Sequence, residues 1–305
     1  MCSAAQPSVV ALVLNYDGKD VALQSLASLA AMNTPRCTLA VVDNGSSDGS
    51  PEAIAAAFPE VEQVRVAVNE GPAAGMNAGL RWALERDFDY VLILNNDIEV
   101  APTMLDELLA AAAEHPEAGC IGPKCYYFWD RERLWSAGGR LRFGESVTKE
   151  RGMGEIDRGQ FDRTEAVDYI NGCAMLVPRR VLAEVGLWDP IYFLSVEDAD
   201  WCMRLKQLGY QCLYAHRAVL WHMVSHTVGV YVPSKTFHNG RSTALFVRRY
   251  ARPFDWLKFV VLVAVAIPLA FLRELPKGNQ GAVIAKLKGY WAGLKEPMTD
   301  PPTVS

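Results

Sequence analysis

Acidic, amide and imidazole side chains collect at four points of the 305-residue chain, and each point suits chemistry on oxygen-rich ligands or metal ions. Asn95-Asn96-Asp97 follows the apolar run Tyr90-Val91-Leu92-Ile93-Leu94 with no Gly or Pro between. A carboxylate there is placed to hold a hard divalent cation whose other ligands are phosphates and water, or else to cap the next helix, which Pro102 could open. Asp43-Asn44-Gly45-Ser46-Ser47-Asp48 leaves a second apolar run, and Asp43 suits a ribose or a base as well as a turn. Glu197-Asp198-Ala199-Asp200 packs three carboxylates into four residues. Such crowding raises carboxyl pKa values and yields a general base, although acids also favour the first turn of a helix. His222 and His226 stand four apart, without the glutamate of HExxH and in a stretch of β-formers.

The elements that must position these groups alternate. Strands are expected at 9–14, 39–42, 64–68 and 90–94, with helices at 20–32, 51–58 and from after Gly79 to about 86 between them. This pattern predicts an α/β fold with a mainly parallel central sheet flanked by helices. In a parallel sheet the carboxyl ends of the strands share one edge, which gathers Asn15-Tyr16, Asp43, Asn69 and Asn95-Asp97. Gly71, Gly75 and Gly79 either admit a ligand or let helix and strand approach closely. They do not form GxGxxG, and no P-loop lysine follows. Residues 150–165, charged and with few apolar side chains, are expected to form a mobile loop, either a lid or surface slack.

Composition narrows the classes. A net charge of −5 argues against a nucleic-acid binder. Seven scattered cysteines with no CxxC pair suggest reduced thiols, and the first residues lack a basic segment with an apolar run behind it, so a cytoplasmic location is expected. The tail differs in kind. Residues 259–272 are apolar apart from Pro268, and Lys258, Arg273, Lys277, Lys286 and Lys288 surround them. Fourteen residues fall short of the ~20 needed to cross a bilayer, so the segment reads as a helix lying on an anionic inner membrane face, or as a core or dimerising helix.

Taken in order, Leu14-Asn15-Tyr16-Asp17-Gly18, Val42 to Gly49, Asn69 to Gly79, Leu94 to Asp97, Phe193 to Trp201 and Trp221-His222 resemble the inverting glycosyltransferases of family 2, of GT-A fold. The similarity runs from about Val9 to Tyr250. Gly152 to Asp162, His222 to His226 and the basic Tyr231 to Tyr250 region look most like the rhamnosyltransferase branch, which typically uses dTDP-rhamnose to build cell-surface polysaccharide.

The resemblance implies a division of labour. Residues 1–230 would be the transferase domain, and 231–305 a helical region that meets the membrane or a second copy of the chain. Asp198 would be the catalytic base, with Glu197 the second choice. Asp97 and His222 would hold Mg2+ or Mn2+. Asn15, Tyr16, Asp43, Asn69, Gly75, Asn77, Asn95, Asn96 and Arg241 would line the nucleotide-sugar site, and the acceptor would be a glycan or a lipid-linked sugar. Asn95 departs from the usual Asp-x-Asp and leaves the cation one negative charge short. UDP-galactofuranose, UDP-glucose and GDP-mannose are alternative donors, and a non-catalytic membrane-associated scaffold is the alternative of a different class.

Overall fold

The computed structural model describes residues 7–34, 36–224 and 232–304. His226 and Tyr231 lie outside them. The chain begins β1 (Val9–Asn15), α1 (Lys19–Ala30), β2 (Cys37–Asn44), α2 (Ser50–Ala57), β3 (Glu62–Val66), α3 (Pro72–Leu84), β4 (Tyr90–Asn95). It continues β5 (Ile98–Val100), α4 (Met104–Glu114), β6 (Ala118–Tyr127), β7 (Asp130–Ser136), β8 (Gly139–Leu141), β9 (Thr148–Glu150), β10 (Glu165–Val167), β11 (Ala174–Pro178). It closes α5 (Arg179–Val185), α6 (Glu197–Gln207), β12 (Gln211–His222), α7 (Pro233–Tyr250), α8 (Pro253–Glu274), α9 (Gln280–Lys295).

The main sheet runs β10-β12-β6-β11-β4-β1-β2-β3. Its β3-β2-β1-β4 half is parallel, as strand and helix alternation requires. Beyond β4 the order becomes mixed, because β11 runs antiparallel to both β4 and β6. The cause is the connection: β6 reaches β11 through the β8–β9 hairpin and the loop after it rather than through a crossover helix. β1 and β4 are buried on both sides, with Val9 to Val13 and Val91 to Leu94 shielded from solvent, so the apolar runs form the centre of the molecule.

Residues 150–165 correct the expectation of a loose loop. Lys124, buried in β6, reaches Asp157 at 2.8 Å and also pairs with Asp162. Tyr126 donates to Asp157 at 2.6 Å, Arg133 to the Gly154 carbonyl at 2.7 Å and Arg151 to Glu165 at 2.6 Å. A charge as buried as Lys124 must be paired, and the pairing fastens the loop to the sheet.

The tail also differs from its sequence reading. α8 is one continuous helix of 22 residues, carried through Pro268, and at 1.5 Å per residue it is about 33 Å long. By length and composition the stretch Pro253–Lys277 can cross a membrane, with only 6% of its apolar window buried, so it is not a core helix. Trp256, Val263 and Ile267 pack inward, while Leu257, Val261, Val265 and Leu272 face out. α7 belongs to the body. Its Ala244 to Val247 are buried in the same core as the sheet, and α9 lies on it so closely that a methyl at Gly289 or Gly293 would strike the backbone of Phe237 or Arg241.

Candidate active site

Register sets the edge. Asn15 at the end of β1 is level with Asp43 on β2, and Leu14 with Asn95 on β4, so three neighbouring strands, each about 4.8 Å from the next, end in polar groups together. Asn96 donates to Asn15 Oδ1 at 2.7 Å, and Asn15 donates to Ser46 Oγ at 3.2 Å, which ties the loops after β1, β2 and β4 into one rim. Asp17 holds the turn below by accepting from the Ser47 N–H at 2.7 Å. Within that rim Asp43 Oδ1 is a buried acceptor with no hydrogen-bond partner among the described residues. An orphaned acceptor is costly unless water or a ligand donates to it. Tyr16, 43% exposed, follows Asn15 at the lip and offers a ring on which a planar group could stack.

Other expected donor contacts have their polar groups engaged within the protein. Both ends of the Asn77 amide bond the Trp188 backbone, at 2.8 and 2.9 Å. Asn69 accepts from Asn44 and from the Gly71 N–H. Gly75 is a close-packing position, since a Cβ would meet the Asn44 amide at 2.6 Å. Arg241 is engaged elsewhere, bonded to both Glu296 oxygens and, at 2.7 Å, to the Ile191 carbonyl. Lys235, in the first turn of α7, is a cation within electrostatic reach of Asp97. Burial pulls its ammonium pKa down and the Asp97 charge opposes that shift. Nothing in the spacing of the sequence marks Lys235, because only the return of α7 over the sheet edge brings it there.

Asp97 is buried beside His222, with Nε2 3.0 Å from Oδ1. The pair exists because β12 ends antiparallel to β5, with His222 opposite Ile98 and the Met223 N–H donating to the Asp97 carbonyl at 2.9 Å. Trp135 stands edge-on to the imidazole at 4.3 Å between ring centroids. One carboxylate and one imidazole 3.0 Å apart make a donor set that fits a divalent cation, and nitrogen ligation suits Mn2+ better than Mg2+.

The acidic cluster sits on a strained turn. Ser195 and Val196 both adopt positive φ, 69° and 63°, which is unfavourable for a β-branched residue and is held only by surrounding structure. α7 supplies that hold: Ser242 donates to the Leu194 carbonyl at 2.8 Å and Asn239 bonds Ser195. Asp200 turns inward and is neutralised by Arg204, Arg249 and Tyr250. Asp198 accepts from the Gly172 N–H at 2.8 Å and from its neighbour Ala199 at 2.7 Å. Burial still raises its pKa to about 6. Burial first, and the Asp198 charge second, push Glu197 to about 8, and its Oε2 has no partner.

Asp97 and Asp198 meet at one short segment. Gly172 binds Asp198, while the carbonyl of the adjacent Cys173 accepts from the Asn95 N–H at 3.1 Å. Asp97 follows Asn95 by two residues and its charge is felt at Cys173, so the strand end that carries Asp97 and the turn that carries Asp198 are joined through these two residues. Glu150, which the sequence does not single out, lies behind them: buried, it accepts from Tyr169 and Asn171 and bonds Ser136, and burial raises its pKa.

Residues 8–186, more than half of the chain, match the family model described as Glycosyl transferase family 2. The chain belongs to that family. This glycosyltransferase is 27% identical over 243 residues to the N-acetylglucosaminyl-diphospho-decaprenol L-rhamnosyltransferase of Mycobacterium tuberculosis, covering 73% of this chain and 78% of the relative. It is 23% identical to the poly-beta-1,6-N-acetyl-D-glucosamine synthase of Staphylococcus epidermidis, where 72% of this chain spans 50% of the relative. Among solved structures it resembles the mannosyltransferase of Pyrobaculum calidifontis in complex with GDP-Man and Mn2+, with a TM-score of 0.59 at 15% identity over 95% of this chain and 87% of that one. It also resembles TarS of S. aureus in complex with UDP-GlcNAc, with a TM-score of 0.53 at 16% identity over 82% and 69%. At such identities the likeness speaks for the fold alone, and that fold is GT-A.

Proposed function

We propose that this glycosyltransferase moves L-rhamnose from dTDP-rhamnose to a hydroxyl of a lipid-linked glycan, with inversion, at the inner face of the cell membrane. The observation that carries the reading is the Gly172–Cys173 link, where Asp198 accepts from Gly172 and the strand end leading to Asp97 donates to Cys173. On one side the Asn15–Asp43 rim receives the nucleoside, the orphaned Asp43 Oδ1 taking a donor from ribose or base. Asp97 and His222 would hold a divalent cation, which when bound would supply charge neutralisation for the diphosphate. Lys235 adds a second positive charge there. On the other side Asp198 takes the proton of the acceptor hydroxyl, whose oxygen attacks the anomeric carbon as the nucleoside diphosphate departs from the opposite face. The rhamnosyl donor and lipid-linked acceptor are favoured by the mycobacterial relative's name and by the branch-like segments around Gly152 to Asp162.

Thermal unfolding with nucleoside diphosphates and Mn2+ tests the donor. The expected order of stabilisation is dTDP above UDP and GDP, with about 2.7 kcal/mol of added stability at a hundredfold excess over Kd. A larger shift with UDP or GDP transfers the assignment to another sugar, and no shift with any of them restores the scaffold reading. The membrane location rests on the outward apolar stripe of α8 and the lysines and arginines beside it. Cosedimentation with vesicles is expected to rise when phosphatidylglycerol is added to phosphatidylcholine and to fall with salt; an equal, negligible pellet in both sinks that placement.

A further inference from the structure

Two apolar hollows lie end to end between α8 and α9. One, of about 660 Å³, is walled by Val260, Ala264 and Trp291; the next, of about 350 Å³, by Pro268, Phe271 and Ile284, and Leu287 lines both. At 1.5 Å per residue the trough follows α8 for about 20 Å. Beside its second half, across Ile267 and Val283, lies a third chamber of about 500 Å³ in which Arg273, Lys286, Glu145, Thr236 and Asn239 stand among apolar residues of α8 and α9. Asn239 is the residue that bonds Ser195, three positions before Asp198. An apolar trough, a chamber beside it that holds two cations and the Glu145 carboxylate, and the strained turn of the acidic cluster therefore adjoin one another.

That sequence of environments matches one kind of molecule. We propose that the α8–α9 trough seats the polyisoprenyl chain of the acceptor and that Arg273 and Lys286 receive its phosphate. The inference rests on the transferase reading for what is attached to that phosphate: a sugar there extends past Asn239 toward Asp198. Charge favours this occupant over a neutral lipid. Lys286 is held by Glu145 at 2.5 Å, and that carboxylate is about half exposed, so a phosphate can take its place; Arg273 pairs with Glu274, which keeps Lys277 and Asn279 as further partners. Continuity with the Ser195–Asp198 turn favours it over a bilayer acyl chain, which has no reason to end beside a catalytic base.

The test uses the full chain on phosphatidylcholine vesicles and benzophenone-tagged farnesyl phosphate as a photoprobe. Labelling is expected within residues 259–291, competed by unlabelled farnesyl phosphate and not by phosphatidylglycerol. Ala264 is exposed, so Ala264→Trp fills the trough without crowding the core, and it is expected to cut labelling about tenfold while vesicle binding persists. The double variant Arg273→Ala/Lys286→Ala attacks the other end and is expected to lose as much, since a charge-assisted hydrogen bond contributes ~1.5–3 kcal/mol. Labelling that phosphatidylglycerol competes equally, or that neither variant reduces, overturns the proposal. Labelling needs no turnover. A protein that labels as expected but transfers no sugar from any nucleotide donor refutes the transferase reading and leaves the lipid seat standing.

Discussion

Asp198→Asn is expected to lower kcat by roughly 10²- to 10⁴-fold, the span that a positioned general base contributes, and Glu197→Gln by less than about tenfold. The two acids are adjacent, so the asymmetry needs a physical cause. Asp198 accepts two backbone N–H bonds, from Gly172 and Ala199, whereas Glu197 has a buried oxygen with no partner. Hydrogen-bond donors stabilise the ionised form, so the shared charge resides on Asp198 and the proton on Glu197 at neutral pH. Activity should then rise with pH through about 6 as Asp198 ionises. Near-equal losses in the two variants, or an activity flat from pH 5 to 8, would remove Asp198 from its role.

The same pair sets a stability signature. Both pKa values are raised in the folded state, to about 6 and about 8, so the folded protein retains protons that the unfolded chain releases. The contribution is fully present below the unfolded carboxyl pKa, about 4, and is lost as pH rises through the folded values. Melting temperature should decline from pH 6 to 8, and Glu197→Gln, which cannot ionise, should flatten that decline. The active site is in this sense a local instability that the Ser195–Val196 turn and its α7 clamps hold in place.

The polar edge was legible in the sequence because it follows from period and punctuation. The run Tyr90 to Leu94 could only be a strand buried on both faces, and the unbroken switch to Asn95-Asn96-Asp97 put a carboxylate at its end. Charge–charge fastening was not legible. Residues 150–165 have too little apolar surface to fix themselves, and their anchor, Lys124, sits inside an apolar strand where composition gives no hint that it is the partner of Asp157. Lys235 escaped for a similar reason, since its nearness to Asp97 is created by the return of α7. Arg241, singled out for its charge, is already neutralised by Glu296. The length of α8 was underestimated by counting only apolar residues, whereas the helix begins at Pro253 with Asp255 completing its N-terminal cap and passes through Pro268.

Asp97→Ala is expected to reduce kcat/KM by about 10³-fold, the equivalent of the several kcal/mol that a cation contributes where negative charge develops on a leaving phosphate. Binding separates this from a folding defect: thermal stabilisation by dTDP should depend on Mn2+ in the wild type and become independent of it in the variant. His222→Ala should lose less overall but change metal choice, because removal of the imidazole leaves an all-oxygen set and Mn2+ loses its advantage over Mg2+. Asn95 makes the sharpest case. It is level with Leu14 in the β1–β4 register and two residues from Asp97, so Asn95→Asp adds a second carboxylate to the same rim. If the site holds a cation, that added charge should lower the Mn2+ concentration needed for half-maximal dTDP stabilisation. If the site holds none, the new carboxylate should instead repel the diphosphate and weaken binding at every Mn2+ concentration. Opposite signs from one substitution decide whether Asp97 serves as a metal ligand or as a structural partner of His222.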